Sequence, residues 1–129
     1  MSQNCCLITV NLLYPHSIAP FYHPAGSGGI LLFSRETITL NPFDSKSVKT
    51  GISIELPSNG IGLLTSLNEI PVKAAGVIEN VFHDELAVPI YNINNDTYVI
   101  HHGDPIAQLL ILPNLWTHLL LVDNTYFCV

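Results

Sequence analysis

Residues Ala75–Asn92 read AGVIENVFHDELAVPIYN, and this stretch determines how the rest of the chain is interpreted. Its first half is a turn of small residues that leads to a carboxylate, Glu79, and then to an aromatic residue, Phe82. Its second half has the period-two pattern of a strand, with one face formed by Leu86, Val88 and Ile90. The stretch therefore predicts a turn that carries an acidic side chain and continues into a β-strand.

The composition predicts one apolar domain. Of the 129 residues, 48% are hydrophobic and only 11% are charged. A chain of this length forms a single core, which we expect to span residues 1–122, with a short tail at 123–129. Because so little charged surface is available, we expect a buried interface between subunits. No apolar run reaches the ~18–20 residues of a membrane-spanning helix, and the N-terminus lacks the features of a secretory signal.

The chain is poor in cationic side chains. Its net charge is −6, and its basic residues are Arg35, Lys46, Lys49 and Lys73. Nucleic acids are bound by clustered cations that displace counterions, so a nucleic-acid partner is not expected. A triphosphate also needs cationic or metal neutralisation, and a single arginine supplies little of it.

Neither the cysteines nor the histidines predict a metal site, and no cofactor is expected. The three cysteines have no ligand spacing, and their odd number indicates a reducing, intracellular setting. His101 and His102 are adjacent and would point to opposite faces of a strand. Asp104 is interpreted as a turn former.

Short apolar stretches separated by turn signals run through the chain, which is typical of an all-β sandwich or jelly roll. Leu63–Lys73 is the only stretch that could form a helix, and Pro71 limits that helix to about two turns. The principal strands are expected at Leu7–Leu13, Ile30–Phe33, Thr37–Leu40, Val48–Leu56, Leu86–Tyr91, Thr97–Ile100, Ile106–Leu112 and Leu115–Val122.

Several segments resemble the trimeric dUTPase family. Gly76–Glu79 is similar to the family's third motif, Gly-Val-Ile-Asp, and Gly103–Leu109 (GDPIAQL) to its fourth, Gly-Asp-Arg-Ile-Ala-Gln-Leu. Scaffold segments match in order and spacing at Thr39–Pro42, Thr50–Ile52, Leu56-Pro57 and Gly60–Gly62. The resemblance implies an all-β, dUTPase-like jelly roll or β-sandwich (β-clip) that assembles as a homotrimer with shared sites.

The resemblance also implies the positions of a nucleotide site. Glu79 stands where the family has its catalytic aspartate, and Phe82 stands where it has a tyrosine against the deoxyribose. Gln108 matches a glutamine that contacts phosphate. Because other site residues differ from the family pattern, we interpret Glu79, Phe82 and Gln108 as a vestigial nucleotide site.

The charged residues of the family's motifs are not retained. Leu31 replaces the aspartate of the first motif, Pro105 replaces the arginine of the fourth, and residues 63–69 contain no arginine where the second motif has one. The glycine-rich fifth motif is not recognisable. Single electrostatic groups contribute about 2.7–4 kcal/mol each to catalysis. These losses predict a protein that is not an enzyme and has no catalytic residues.

The final residues Phe127, Cys128 and Val129 suggest a binding tail. A PDZ domain takes up a hydrophobic carboxyl terminus as an added strand; the alternative is that the tail packs on a neighbouring subunit. A non-catalytic chain of this kind resembles the dUTPase-derived early-region protein of adenoviruses. That resemblance implies an adaptor that binds host signalling or PDZ-containing proteins in the host cytoplasm or nucleus.

Two other functions stay open. The chain could be a divergent nucleotide-binding enzyme with dUTP diphosphatase activity that uses Glu79, or a nucleotide sensor without turnover. Hydrolysis of dUTP that is abolished by Glu79→Ala would favour the enzyme, whereas binding without hydrolysis would favour the sensor.

Overall fold

The computed structural model describes residues 7–24, 26, 28–79, 81–82, 84–113, 115 and 117–122. In that part of the chain all the regular secondary structure is β-strand, and no helix could cross a membrane. The strands are β1 (Thr9–Leu12), β2 (Phe21–Tyr22), β3 (Ile30–Phe33), β4 (Ile38–Leu40), β5 (Ser45–Lys49), β6 (Ile52–Glu55), β7 (Gly60–Thr65), β8 (Lys73–Ala74), β9 (Gly76–Ile78), β10 (Val81–Phe82), β11 (Ala87–Tyr91), β12 (Tyr98–Ile100) and β13 (Pro105–Pro113).

The largest sheet has the order β2–β3–β13–β7–β9, so β9 is an edge strand. Its long strand β13 pairs antiparallel with β3 on one side and with β7 on the other. The remaining strands form the sheets β5–β11–β8 and β1–β6–β10 and the pair β12–β4. Every sheet contributes apolar side chains to one core, which includes Leu32, Val48, Ile54, Ile100 and Leu109.

The alternation predicted for the strand after Glu79 is confirmed. Leu86, Val88 and Ile90 are all buried, while the neighbouring Tyr91 is exposed. This strand is hydrogen-bonded to β5 along its whole length and to β8 near its end. Its inward face therefore joins the core, and its outward face remains available for a site.

Three predicted elements are wrong. Val48–Leu56 is not one strand, because the chain turns at Gly51, with a φ of +74°, between β5 and β6, which belong to different sheets. Leu63–Lys73 contains no helix, because its first residues belong to β7, which is paired with β13 and β9. Leu115–Val122 is not a strand in its described residues, where no pairing to another strand is found. The predicted all-β fold class is nevertheless confirmed by the strands.

Candidate active site

A cleft of about 390 Å³ lies between the edge of the large sheet and β11. This volume is within the ~300–1,000 Å³ range of small-molecule sites. The described residues that line it come from β7, β9 and β11 with their flanking positions, and Glu79 is the only charged one among them. The cleft therefore combines mainly apolar walls with one carboxylate.

Local sequence explains how Glu79 reaches this cleft. Along β9, Val77 is 61% exposed and Ile78 is buried, so period-two alternation turns Glu79 outward on the same side as Val77. Gly76 allows the strand to pack closely, because a Cβ there would lie 3.0 Å from Leu64 Cδ1. The small residues predicted to form a turn instead form the edge strand β9, and this strand presents an exposed carboxylate beside the cleft.

The loop after Glu79 is attached to β6 and to the turn before it. The backbone of Phe82 pairs with that of Ile54 in the β10–β6 ladder. The Leu86 N–H donates to the Ile52 carbonyl at 2.8 Å, and the Leu86 carbonyl accepts from the Thr50 hydroxyl at 2.7 Å. These contacts hold the far end of the loop against the body of the domain.

Glu85, at the end of this loop, is paired with Arg35. The guanidinium Nε donates to Glu85 Oε2 at 2.6 Å, and Nη2 donates to Oε1 at 3.2 Å. The Gly51 N–H also donates to Oε2, at 2.7 Å. The hydrogen bonds from Arg35 are the main reason that the pKa of Glu85 is lowered, although its desolvation acts in the opposite direction.

Gln108 lies on β13, between Leu31 on β3 and Thr65 on β7. Its amide occupies the space above Gly29, so that a Cβ at residue 29 would overlap it. The neighbouring Thr65 hydroxyl is buried and has no hydrogen-bond partner in the described part of the chain. An unsatisfied buried hydroxyl is costly unless something else pairs with it, so this position suits a polar ligand.

Within one chain Glu79 and Gln108 are far apart. Strand β7 lies between β13, which carries Gln108, and β9, which precedes Glu79. Gln108 is opposite Thr65 of β7, whereas Ile78 is opposite Gly62, so Glu79 lies four residues further along β7 than Gln108 does. At about 3.3 Å per residue and 4.8 Å per strand, their backbones are roughly 16 Å apart. One subunit therefore does not bring together the carboxylate and the glutamine that the sequence suggested for a single site.

Lys49, which the sequence does not by itself assign to the site, lies next to the cleft. It pairs directly with Ala87. Directly paired residues have side chains on the same face of a sheet, so Lys49 is beside a residue that lines the cleft. Lys49 is exposed and follows the buried Val48 along β5. This alternation is the sequence signal that could have placed the Lys49 side chain on the outward face of the sheet.

No group of three or more histidine, cysteine, aspartate or glutamate side chains converges among the described residues. Asp104 acts as a turn former, because its carboxylate accepts the His101 N–H at 2.8 Å. The described residues thus do not fit a metal ion held by the protein alone. The proposed binding tail, Phe127, Cys128 and Val129, lies outside the described residues.

Comparisons with known proteins agree with this fold. The dUTPase family model matches residues 16–125. The deoxyuridine 5'-triphosphate nucleotidohydrolase of Clostridium kluyveri is 29% identical, over 82% of this chain and 79% of the relative. The same enzyme from Solibacter usitatus is 31% identical, over 81% and 77%.

Solved dUTPases superimpose on nearly the whole chain. A point mutant of the dUTPase from Staphylococcus aureus phage phi11 has a TM-score of 0.79 and 25% identity, covering 94% of this chain and 99% of its own. A mutant of the bacteriophage 80alpha dUTPase with dUpNHpp has a TM-score of 0.78 and 25% identity, covering 95% and 91%.

These similarities contradict part of the sequence interpretation. The prediction of a non-enzymatic, adenovirus-like adaptor with a PDZ ligand is wrong, because the bacterial relatives are named as enzymes and the similar structures are dUTPases. The error has a physical reason: the basic residues were counted without their positions, and the strand pairing that sets Lys49 beside the cleft is not visible in the sequence around it. Assembly as a homotrimer is consistent with the family. Both the match to the family model and the superposition lead to one conclusion: this chain belongs to the dUTPase family.

Proposed function

We propose that this protein hydrolyses dUTP to dUMP and pyrophosphate, with Glu79 as the general base. The observation that carries the proposal is the position of Glu79, an exposed carboxylate at a cleft of ligand size. Support also comes from the relatives named as deoxyuridine triphosphate nucleotidohydrolases, which share about 30% of their residues with this chain.

The reaction requires one proton acceptor and neutralisation of phosphate charge. A water molecule attacks the α-phosphorus and transfers a proton to the Glu79 carboxylate, while the bond from the α-phosphorus to the bridging oxygen breaks and pyrophosphate leaves. Magnesium enters as part of the substrate, because Mg²⁺ binds nucleotides largely through their phosphates. Lys49, beside Ala87 at the cleft wall, adds a cation from the protein.

The walls of the cleft suit a nucleoside. Apolar side chains such as Ile78, Leu86 and Pro89 provide surface for the flat base and the sugar. β9 is at the edge of its sheet, and an edge strand presents unpaired backbone N–H and carbonyl groups. Such groups complement the hydrogen-bonding edge of a pyrimidine, so we assign the base to this side of the cleft.

We further propose that the phosphates extend towards Gln108 of a second copy of the chain. The separation of roughly 16 Å between Glu79 and Gln108 in one subunit supports a site shared between subunits, as in a homotrimer. At the second subunit, the Gln108 amide and the unsatisfied Thr65 hydroxyl offer polar contacts to phosphate oxygens.

The test is release of pyrophosphate from dUTP in magnesium buffer, with Glu79→Gln as the decisive variant. We expect hydrolysis by the unaltered protein and a loss of at least about a hundredfold in kcat for the variant, the size of a general-base contribution. Asp96→Asn, in an exposed loop, is the matched control and should retain full activity. Binding of dUTP without turnover, or a fully active Glu79→Gln variant, would contradict the proposal.

A further inference from the structure

The only arginine of the chain does not line the cleft but contacts the loop that begins at Glu79. We propose that Arg35 and Glu85 form a clamp on the segment that follows Glu79, of which the structure describes residues 81–82 and 84–85, and so position Glu79 for hydrolysis. The inference rests on the proposed function for the role of Glu79, whereas the clamp itself is a structural feature that can be tested separately.

Glu85 is fully engaged within the protein. Its Oε2 accepts from Arg35 Nε and from the Gly51 N–H, and its Oε1 accepts from Arg35 Nη2 and, at 3.4 Å, from the Tyr14 hydroxyl. An ionised carboxylate has about four acceptor positions, and all of them are used. Glu85 is therefore suited to positioning the loop rather than to binding substrate or accepting its proton.

Arg35 has contacts besides its pair with Glu85. Its guanidinium carbon lies 4.3 Å from the centre of the Tyr14 ring, a cation–π contact, and its backbone N–H donates to the Lys49 carbonyl at 2.9 Å. Gly51 has a φ of +74°, and a Cβ there would lie 2.6 Å from Ser17 Oγ and 3.2 Å from Arg35 Cδ. Glycine at residue 51 thus leaves room for the arginine, and the bidentate geometry gives a strong, directional contact.

The clamp acts on the end of the loop opposite Glu79. Glu79 follows β9, which is held by β7, whereas Glu85 precedes the anchored Leu86 at the start of β11. If Glu85 is released, the short β10 ladder to β6 is the attachment that the described residues of the loop keep between these two ends. A displacement of the base by about 1 Å can lower the rate about a hundredfold, so a loosened loop is expected to reduce kcat.

The experiment measures both loop protection and catalysis in Glu85→Gln, Arg35→Lys and Arg35→Met. Hydrogen–deuterium exchange over residues 79–86 reports on the loop, and steady-state kinetics with magnesium and dUTP give kcat and KM at a temperature where each variant is fully folded. Asp44→Asn is the matched control, because it removes a carboxylate 3.9 Å from Lys46 Nζ, an ion pair remote from this loop in sequence.

For Glu85→Gln we expect exchange to become roughly tenfold faster, since a charge-assisted hydrogen bond is lost. Its kcat should fall at least about tenfold while KM changes less than about threefold, because the carboxylate is misplaced and the cleft is retained. Arg35→Lys should lie between the unaltered protein and Arg35→Met, because lysine keeps the charge but not the planar fork. Asp44→Asn should match the unaltered protein in both measurements.

Unchanged exchange in Glu85→Gln would show that the pair does not hold the loop and would overturn the inference. Faster exchange with unchanged kcat would also overturn it, because β9 alone would then position Glu79. If the unaltered protein does not hydrolyse dUTP, the proposed function fails, and the exchange data still decide whether Arg35 and Glu85 hold the loop.

Discussion

At the scale of single residues, Gly29 carries the tightest steric constraint near the proposed phosphate contacts. Its Cα faces the amide of Gln108, and any side chain at residue 29 would occupy the space of that amide. The core beneath is closed, since Leu109 and Ala107 on either side of Gln108 are buried. Gln108 could therefore make room only by leaving the position in which we propose that it contacts phosphate.

We predict that Gly29→Ala lowers the free energy of unfolding by about 1–3 kcal/mol, as expected for overpacking. Gly60→Ala is the control, because its added Cβ would meet the nearest Pro57 atoms at 3.4 Å, an ordinary contact distance, and should cost less than about 0.5 kcal/mol. Urea denaturation of the two variants measures both values. Equal stability of Gly29→Ala and the unaltered protein would show that Gln108 is free to move aside.

Residues of the site differ in how far the sequence could predict them. Glu79 was found because its surroundings are local: a glycine, a buried isoleucine and an alternating strand within a few positions. Lys49 was missed because its place depends on pairing with Ala87, far along the chain. The contact between Arg35 and Glu85 spans 50 residues, and no pattern around either residue indicates it.

At the scale of elements, alternation predicted strands well where a partner strand exists in the same chain. The bounds predicted for the strand Ile30–Phe33 are correct. For β11, the residues that face the core were predicted correctly. Leu63–Lys73 was misread as helical because its apolar residues suit either structure, and pairing with β13 determined the outcome. The apolar run at Leu115–Val122 has strand-like residues but finds no partner strand among the described residues of the chain.

The link between the loop and the β5–β6 turn should depend on pH. Arg35 lowers the pKa of Glu85 in the folded protein, so the pair adds stability above the unfolded pKa of about 4.3. That stability is lost as pH falls through the lower pKa of the folded state. We predict that the difference in unfolding free energy between the unaltered protein and Glu85→Gln is largest near neutral pH and shrinks below about pH 4.

Urea denaturation across this pH range measures that difference. Glu69 also has a lowered pKa, because it is hydrogen-bonded to His23, but it is present in both proteins and its contribution cancels. A difference that stays constant from neutral to acidic pH would mean that the charge of Glu85 does not contribute to stability.

At the scale of the whole molecule, the isolated chain leaves much apolar surface uncovered. Leu119 is 99% exposed, and Leu120 and Leu121 are nearly as accessible. Contiguous exposed apolar side chains of this kind mark interaction surfaces. The low charge content of the sequence also predicted an interface between subunits, because few charged side chains are available to cover the surface. The error in the functional interpretation also belongs to this scale, because it was drawn from substitutions within single motifs, whereas the similarity that overturned it extends over most of the chain.

The central claim is that dUTP is hydrolysed at a site formed by Glu79 of one subunit and Gln108 of another. The most direct measurement mixes Glu79→Gln with Gln108→Ala, unfolds and refolds them together, and compares pyrophosphate release with that of each variant refolded alone. Random assembly leaves both groups intact in about a quarter of the shared sites, so we predict that the mixture recovers about that fraction of the unaltered activity while each variant alone stays nearly inactive. A mixture no more active than its components, beside an active unaltered protein refolded in the same way, would contradict the shared site.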